Sequence, residues 1–334
     1  MTSSASLLPP LTEPLLRRRF VDRAWLAFVE DGTEPTGLPP EIVRSWRRAR
    51  ESYGVDPTLL RAQRVLSADA LAERRRRDQA WRLAQPVLAH YAERLGSANH
   101  VLAWFDAAGW MLSLQGHPRV VEGVSEINFS PGASWAEESA GTNGPGTAIR
   151  EGKAIEVFAS EHFVEAWQCW SCAGAPVFRP GSDAPVGLVD ITGPWDARSP
   201  QALQLAHAIA RAVEVRLVAA QGVRDEVIRF AFQGARATGD ALVAIDGEGR
   251  ILAANGQASA RIGLESGRLP PDLRRAVEEA VLGEGREELT VRWRDLEVVA
   301  QPVRHEGCPI REQAAVDAPS QRHIAALAVE TLGA

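Results

Sequence analysis

Residues 100–116 read HVLAWFDAAGWMLSLQG, and this stretch decides how the chain is divided. Apolar side chains alternate with a period of two on either side of a tight turn at residues 106–109, the pattern of a β-hairpin. Upstream the period is helical. Residues 14–30 (PLLRRRFVDRAWLAFVE) repeat apolar positions at Leu15, Leu16, Phe20, Trp25, Phe28 and Val29. The breaker-rich DGTEPTGLPP then ends that helix. A second helix starts near Glu41 and closes at Gly54. A third is expected from Ser67 as N-cap to Leu95, with Pro86 kinking it.

Downstream of the hairpin the sequence predicts a loop, a short helix over residues 136–150, a strand AIEVFA, and two strands in SCAGAPVFRPGSDAPVGLVDITGP. A long helix follows from Ser199, with a possible break at Gly222. Strand, Asp-Gly turn, strand and helix then recur in GDALVAIDGEGRILAANGQASARIGL, and REELTVRWRDLEVVAQPVRHEG supplies two more alternating strands. The last residues read as a helix or a tail. This order of elements describes an α+β protein with an antiparallel sheet, not a doubly wound one.

The 334 residues are 45% hydrophobic and 24% charged, enough for two or three ordinary domains. No segment approaches the roughly 18 apolar residues of a membrane span, and no leader pattern opens the chain; the expectation is a cytoplasmic protein with no membrane contact. Three cysteines cannot build a disulfide framework. Net charge is −6, although residues 1–100 hold 16 Arg against 12 acidic residues. The run ERRRRDQAWR reads as a solvated helix face rather than a nucleic-acid surface, because acids bracket the arginines and no aromatic platform lies beside them.

Chemistry-bearing patterns are few. GTAIREGKA misses the phosphate-loop spacing by one residue and has Ala154 where Ser or Thr is needed, and Lys153 is the sole lysine of the chain. ATP-driven activity is therefore not expected. Cys169 and Cys172 form a C-x-x-C pair open to three readings: a zinc site, a redox couple, or thiols of which Cys172 is a small buried strand residue, the simplest of the three. No metal and no cofactor are expected. No nucleophile-elbow signature is present, and Glu137 and Glu138 read as a solvated first helical turn. Aromatic residues concentrate between Trp104 and Trp170, as in small-molecule pockets, although most read as core. Gly141, Gly144, Pro145 and Gly146 make a bend into a helix that places Thr142, Asn143 and Thr147 to cap it or to meet a ligand. Asp190, alone in the apolar VGLVDIT, either contacts turn amides or points into a pocket.

The ordered motifs Gly141-Thr142-Asn143-Gly144-Pro145-Gly146-Thr147-Ala148, Glu161-His162-Phe163, Trp170-Ser171-Cys172-Ala173 and Gly187-Leu188-Val189-Asp190-Ile191-Thr192-Gly193 resemble the sensory region of bacterial sigma-54-dependent activators of the acetoin and glycerol metabolism type. EIVRSWRRARESYGVDP is similar to the segment preceding their GAF domain, and DALVAIDGEGRILAAN looks like the start of the PAS domain that follows. Members of that family continue into an ATPase motor and a Fis-type helix-turn-helix, neither of which is recognisable in this sequence. The resemblance covers roughly residues 41–305 and implies a helical extension (41–96), a GAF-like domain (97–222) and a short PAS-like domain (223–310), to which the residue pattern adds an N-terminal helix and linker (1–40) and a tail (311–334). It implies a signal-sensing regulator, not an enzyme, with a small-molecule effector and a homodimeric or regulatory protein partner; direct DNA binding is left open. The candidate ligand-binding residues are Trp104, Phe129, Trp135, Thr142, Asn143, His162, Trp170, Cys172 and Asp190. The alternative is a thiol enzyme resembling free methionine sulfoxide reductases.

Overall fold

A computed structural model of the chain describes residues 14–96, 98–235, 241–246, 249–262, 267–276, 289–293, 296–303 and 323–331. It divides into two compact units, Met1–Val218 and Ala219–Ala334.

The hairpin that opens the sheet of the first unit forms as read: β1 (Val101–Asp106) pairs with β2 (Met111–Gly116). Asp106 makes the turn possible, its Oδ1 accepting from the backbone N–H of Ala108 and Trp110 at 2.9 and 3.0 Å. With β3 (Ile155–Phe158), β4 (Trp170–Phe178) and β5 (Pro185–Pro194) the strands lie in the order β2-β1-β5-β4-β3, each pair antiparallel.

Both faces of the sheet are covered, so β1 is buried at every position. Leu102 and Trp104 face one cluster, shared with Ala84 and Leu88 of α4 (Gln79–Gly96) and with Ala206, Ile209 and Val213 of α8 (Ala202–Ala235). Val101, Ala103 and Phe105 face the other, where α1 (Pro14–Asp31), α2 (Pro40–Arg47), α5 (Pro118–Ser125), α6 (Glu137–Ala140) and α7 (Gly144–Glu151) gather.

Several elements differ from the sequence reading. The helix expected from Ser67 to Leu95 is two helices, α3 (Ala68–Arg77) and α4. Asp78 breaks them at ψ 104°, and its carboxylate accepts from Trp81 N at 3.0 Å as a cap for α4. Ser67 caps α3 as read. The helix over 136–150 is split into α6 and α7 by Gly141, whose φ of 66° suits glycine and whose missing side chain leaves room for Phe163. Part of the expected loop after the hairpin is α5. Gly222 does not interrupt α8. Arg74 and Arg75 of the arginine run are not simply solvated: Arg74 pairs with Asp106, and Arg75 donates to Leu112 O.

The second unit holds β6 (Ala241–Ile245), β7 (Ile251–Ala254), α9 (Gly256–Ile262), β8 (Leu289–Trp293), β9 (Leu296–Val303) and β10 (His323–Thr331). Its antiparallel sheet runs β7-β6-β10-β9-β8. Within the terminal stretch read as helix or tail, His323–Thr331 is a central strand, β10, which pairs on both sides with β6 and β9; residues 311–322 and 332–334 lie outside the described residues. No helix among the described residues is long and apolar enough to cross a membrane.

Candidate functional site

On the α5–α7 face of the first sheet, alternation turns Leu188, Asp190 and Thr192 of β5 the same way, and register sets Cys172 of β4 opposite Thr192. Thr192 Oγ1 lies 2.6 Å from Asp190 Oδ2 and 3.1 Å from Cys172 Sγ, so its one proton serves one of them at a time. Asp190 is fully buried. Its Oδ1 has no hydrogen-bond partner among the described residues. Burial pushes its carboxyl up to about 7 and pushes the Cys172 thiol well above the ordinary range. The Cys172 thiol is accordingly protonated and a poor nucleophile.

In front of Cys172 and Thr192 is a cavity of about 10 Å³, the space of about one water molecule. Its walls are aromatic: Phe129, Trp135, Trp167 and Trp170, with His162 as the further polar ring. Phe129, Trp135 and Trp167 meet in series, the first pair edge to face and the second tilted, with ring centroids 4.7 and 4.9 Å apart. Val124 and Ile127 close the α5 side. Of the lining side chains, Ile127 and Trp170 alone are half-buried, so they mark the side nearest solvent.

His162 and Trp167 stand on the segment 159–168, which is built from two 3-10 turns, Ala159–Glu161 and Glu165–Trp167. Helix α1 straps this segment down. Arg17 reaches Glu161 at 2.8 Å and Glu156 at 3.2 Å, Arg18 donates to Gln168 O at 2.7 Å, and Trp25 Nε1 donates to Phe163 O at 2.8 Å. Asp22 accepts from Ser160. Trp46 of α2 adds a bond to Glu161 O at 2.7 Å.

A second buried polar group lies beside the bend 141–147. Glu137 is 2% exposed; its carboxylate takes both Arg48 Nε (2.6 Å) and Arg48 Nη2 (2.9 Å), and also accepts from Ser45. Ser45 lies 2.6 Å from Thr142 Oγ1, and Thr147 Oγ1 is 3.3 Å from the same carboxylate. The solvated first turn expected for Glu137 is thus a buried charge, paired as burial requires.

The structure brings Phe129, Trp135, His162, Trp170 and Cys172 together at the cavity, with Asp190 behind Thr192. Trp104 is not among them: it lies on the opposite face of the sheet, against Gly187. The pleat is the reason, since Trp104 and Phe105 must point opposite ways. Asn143 caps α7, accepting from Gly146 N at 2.8 Å, and Thr142 belongs to the Glu137 network. Val124, Ile127, Trp167 and Thr192 line the cavity although they are not among the candidate ligand-binding residues. Of these, Thr192 was legible, two positions from Asp190 on one strand. Among the described residues no group of three or more His, Cys, Asp or Glu is placed to hold a metal ion; Cys169 is exposed and Cys172 buried.

Against known proteins, the sequence matches the family described as MimR, N-terminal domain, over residues 21–216. It is 31% identical over 199 residues to the acetoin dehydrogenase operon transcriptional activator AcoR of Bacillus subtilis, covering 59% of this chain and 33% of that protein. It is 29% identical over 197 residues to the propane 2-monooxygenase operon transcriptional activator MimR of Mycolicibacterium smegmatis, covering 58% and 33%. The chain therefore spans about a third of the length of these relatives. Among solved structures, the E. coli DhaR(N)–DhaL complex matches with a TM-score of 0.56 at 20% identity, covering 88% of this chain and 100% of the matched one, which supports the GAF-like fold. Since the match over residues 21–216 takes in more than half of the 334 residues, the chain belongs to the MimR N-terminal domain family, homologous to the regulatory regions of AcoR and MimR.

Proposed function

We propose that the chain is the sensory region of a cytoplasmic transcriptional regulator, and that it binds a small-molecule effector in the cavity beside Cys172 and Thr192. The observation that carries this reading is a small aromatic cavity floored by Cys172 and Thr192, the residue types that line small-ligand sites. The cavity is closed at about 10 Å³. An effector larger than a water must shift the population toward an open form in which Trp170 and Ile127 part, and it acts as a signal only through its higher affinity for that form. Occupancy then reaches a homodimeric or regulatory partner along α8. That helix carries exposed Val215, Val218, Val223 and Phe230. The complex of DhaR(N) with DhaL makes a protein partner for this region a reasonable search. We read the second unit as PAS-like, with its limit moved past residue 310 because β10 (His323–Thr331) is the central strand of its sheet; the other domain limits given above are part of this proposal.

An enzyme is not proposed. A thiol reductase needs an accessible thiolate, whereas Cys172 is buried and held as a thiol. The test is a thermal-shift screen of small metabolites on the purified chain, repeated on Trp135→Ala. A hit that stabilises the wild type and not the variant supports the reading; a library without hits, or hits indifferent to Trp135, sinks it.

A further inference from the structure

The first sheet is extended beyond β2 by two short pieces of chain. Residues 132–134 add the first: Met111 N donates to Ala133 O at 2.9 Å, Gly132 N donates to Met111 O at 2.8 Å, and Trp110 bridges Ser134. Residues 64–66 add the second, Ser134 N donating to Arg64 O and Leu66 N to Gly132 O, both at 2.9 Å, about the Val65–Ala133 bridge. Just upstream, Ala62 N donates to Ile127 O at 3.0 Å, and Ala62 O accepts from Asn128 Nδ2 at 2.8 Å. Ala62, Arg64 and Leu66 thus turn backbone groups inward. Alternation along an extended chain turns the N–H and C=O of Gln63 and Val65 outward, and among the described residues nothing bonds to them.

An open sheet edge takes up extended peptides unless charge guards it. Residues 57–68 contain Arg61 and Arg64 and no acidic residue. Both arginines are exposed, and neither has a carboxylate partner among the described residues. Arg64 is held in place, its Cζ 5.3 Å from the centroid of the Trp110 ring, over which Arg74 also lies at 5.5 Å. Arg74 is paired with Asp106, so Arg64 is the open charge of the two. Apolar surface lies alongside: Leu60 is 78% exposed and Val65 54%.

We infer that residues 62–66 are a docking edge for a partner protein, which adds to the sheet an extended segment of alternating acidic and apolar residues. The pleat decides that composition. Arg64 and Val65 point to opposite faces, so a strand that sets a carboxylate across from Arg64 sets an apolar side chain across from Val65. Gln63 and Val65 supply the backbone hydrogen bonds, and Arg64 selects the charge. The edge does not depend on the cavity as an effector site.

The experiment is titration of the ¹⁵N-labelled full chain with a capped peptide of three Glu-Val repeats, following the backbone amide signals. Those of Gln63 and Val65 should shift and saturate. A Lys-Val peptide of the same length, and the Glu-Val peptide N-methylated along its backbone, should each bind at least about tenfold more weakly, the first for its charge and the second for its lost donors. Arg64→Glu, a change at an exposed side chain, should reverse the preference between the Glu-Val and Lys-Val peptides. Gln63 and Val65 signals that stay unmoved at millimolar Glu-Val peptide overturn the inference and leave the arginines as guards of the edge. Equal binding of the Lys-Val or the N-methylated peptide, or shifts centred away from residues 60–66, overturn it as well.

Discussion

Replacing Asp190 by Asn should make the protein more stable than the wild type, by an amount that grows with pH. Asp190 lies on β5 between two apolar neighbours, with Thr192 on its own strand, Cys172 on β4 and Gly144 of α7 against it, and no cation among them. Its carboxyl stands at about 7 in the folded chain against an ordinary 3.8. An acid that holds its proton more tightly when folded contributes fully below the unfolded value; that contribution is lost as pH rises through the folded one. The displacement of about three pH units corresponds to about 4 kcal/mol between about pH 4 and pH 8. Asparagine keeps the shape without the charge, so the advantage of Asp190→Asn should open across that interval and level off above it. Buried His162, lowered to about 4, adds a slope of the opposite sign below about 6.5, but it is common to both proteins and cancels in their difference. Urea denaturation followed by tryptophan fluorescence at a series of pH values measures the quantity. A difference that stays flat from about pH 4 to pH 8 refutes the assignment of Asp190 as a neutral buried acid.

Other substitutions test the supports of the site. Glu137→Ala strands Ser45 and half of the Arg48 pairing in the interior and should cost about 3 kcal/mol in the same denaturation assay; a loss below about 1 kcal/mol would mean the carboxylate is solvated after all. Gly144→Ala places a Cβ 2.5 Å from that of Cys172 and 2.9 Å from Asp190 Oδ1, which should cost roughly 1–3 kcal/mol by overpacking. Gly222→Ala, with nothing within 4 Å of its added carbon, should instead gain up to about 1 kcal/mol of helix propensity. Equal effects of the two glycine changes on melting temperature would contradict the packing given for α7.

The strands of the first sheet were legible because their signals are local: the 100–116 hairpin follows from period two, and the Cys172 and Asp190 strands from apolar runs on either side of a polar turn. What failed depends on partners distant in sequence. Glu137 looked solvated because Arg48, which makes it a buried ion pair, lies 89 residues away. Trp104 was grouped with Trp135 by composition, and only the pleat of β1 separates them. Asp78 could have been recognised as a helix cap within a continuous helical pattern, being a capping residue type followed three positions later by Trp81. The closing strand β10 reads apolar from Ile324 to Val329, which does not distinguish a central strand from a helix without its neighbours.

Entry of a small molecule between Trp135, Trp167 and Trp170 is tested most directly by ¹⁹F spectra of protein carrying 5-fluorotryptophan, titrated with a compound that stabilises the chain in the thermal-shift screen. Each of the ten tryptophans reports separately once assigned by single substitutions. The Trp135, Trp167 and Trp170 signals should move together while those of Trp104, on the far face of the sheet, and Trp46 stay in place. Shifts centred on Trp104 or Trp46, or a saturating titration that leaves all three cavity signals unmoved, would contradict it.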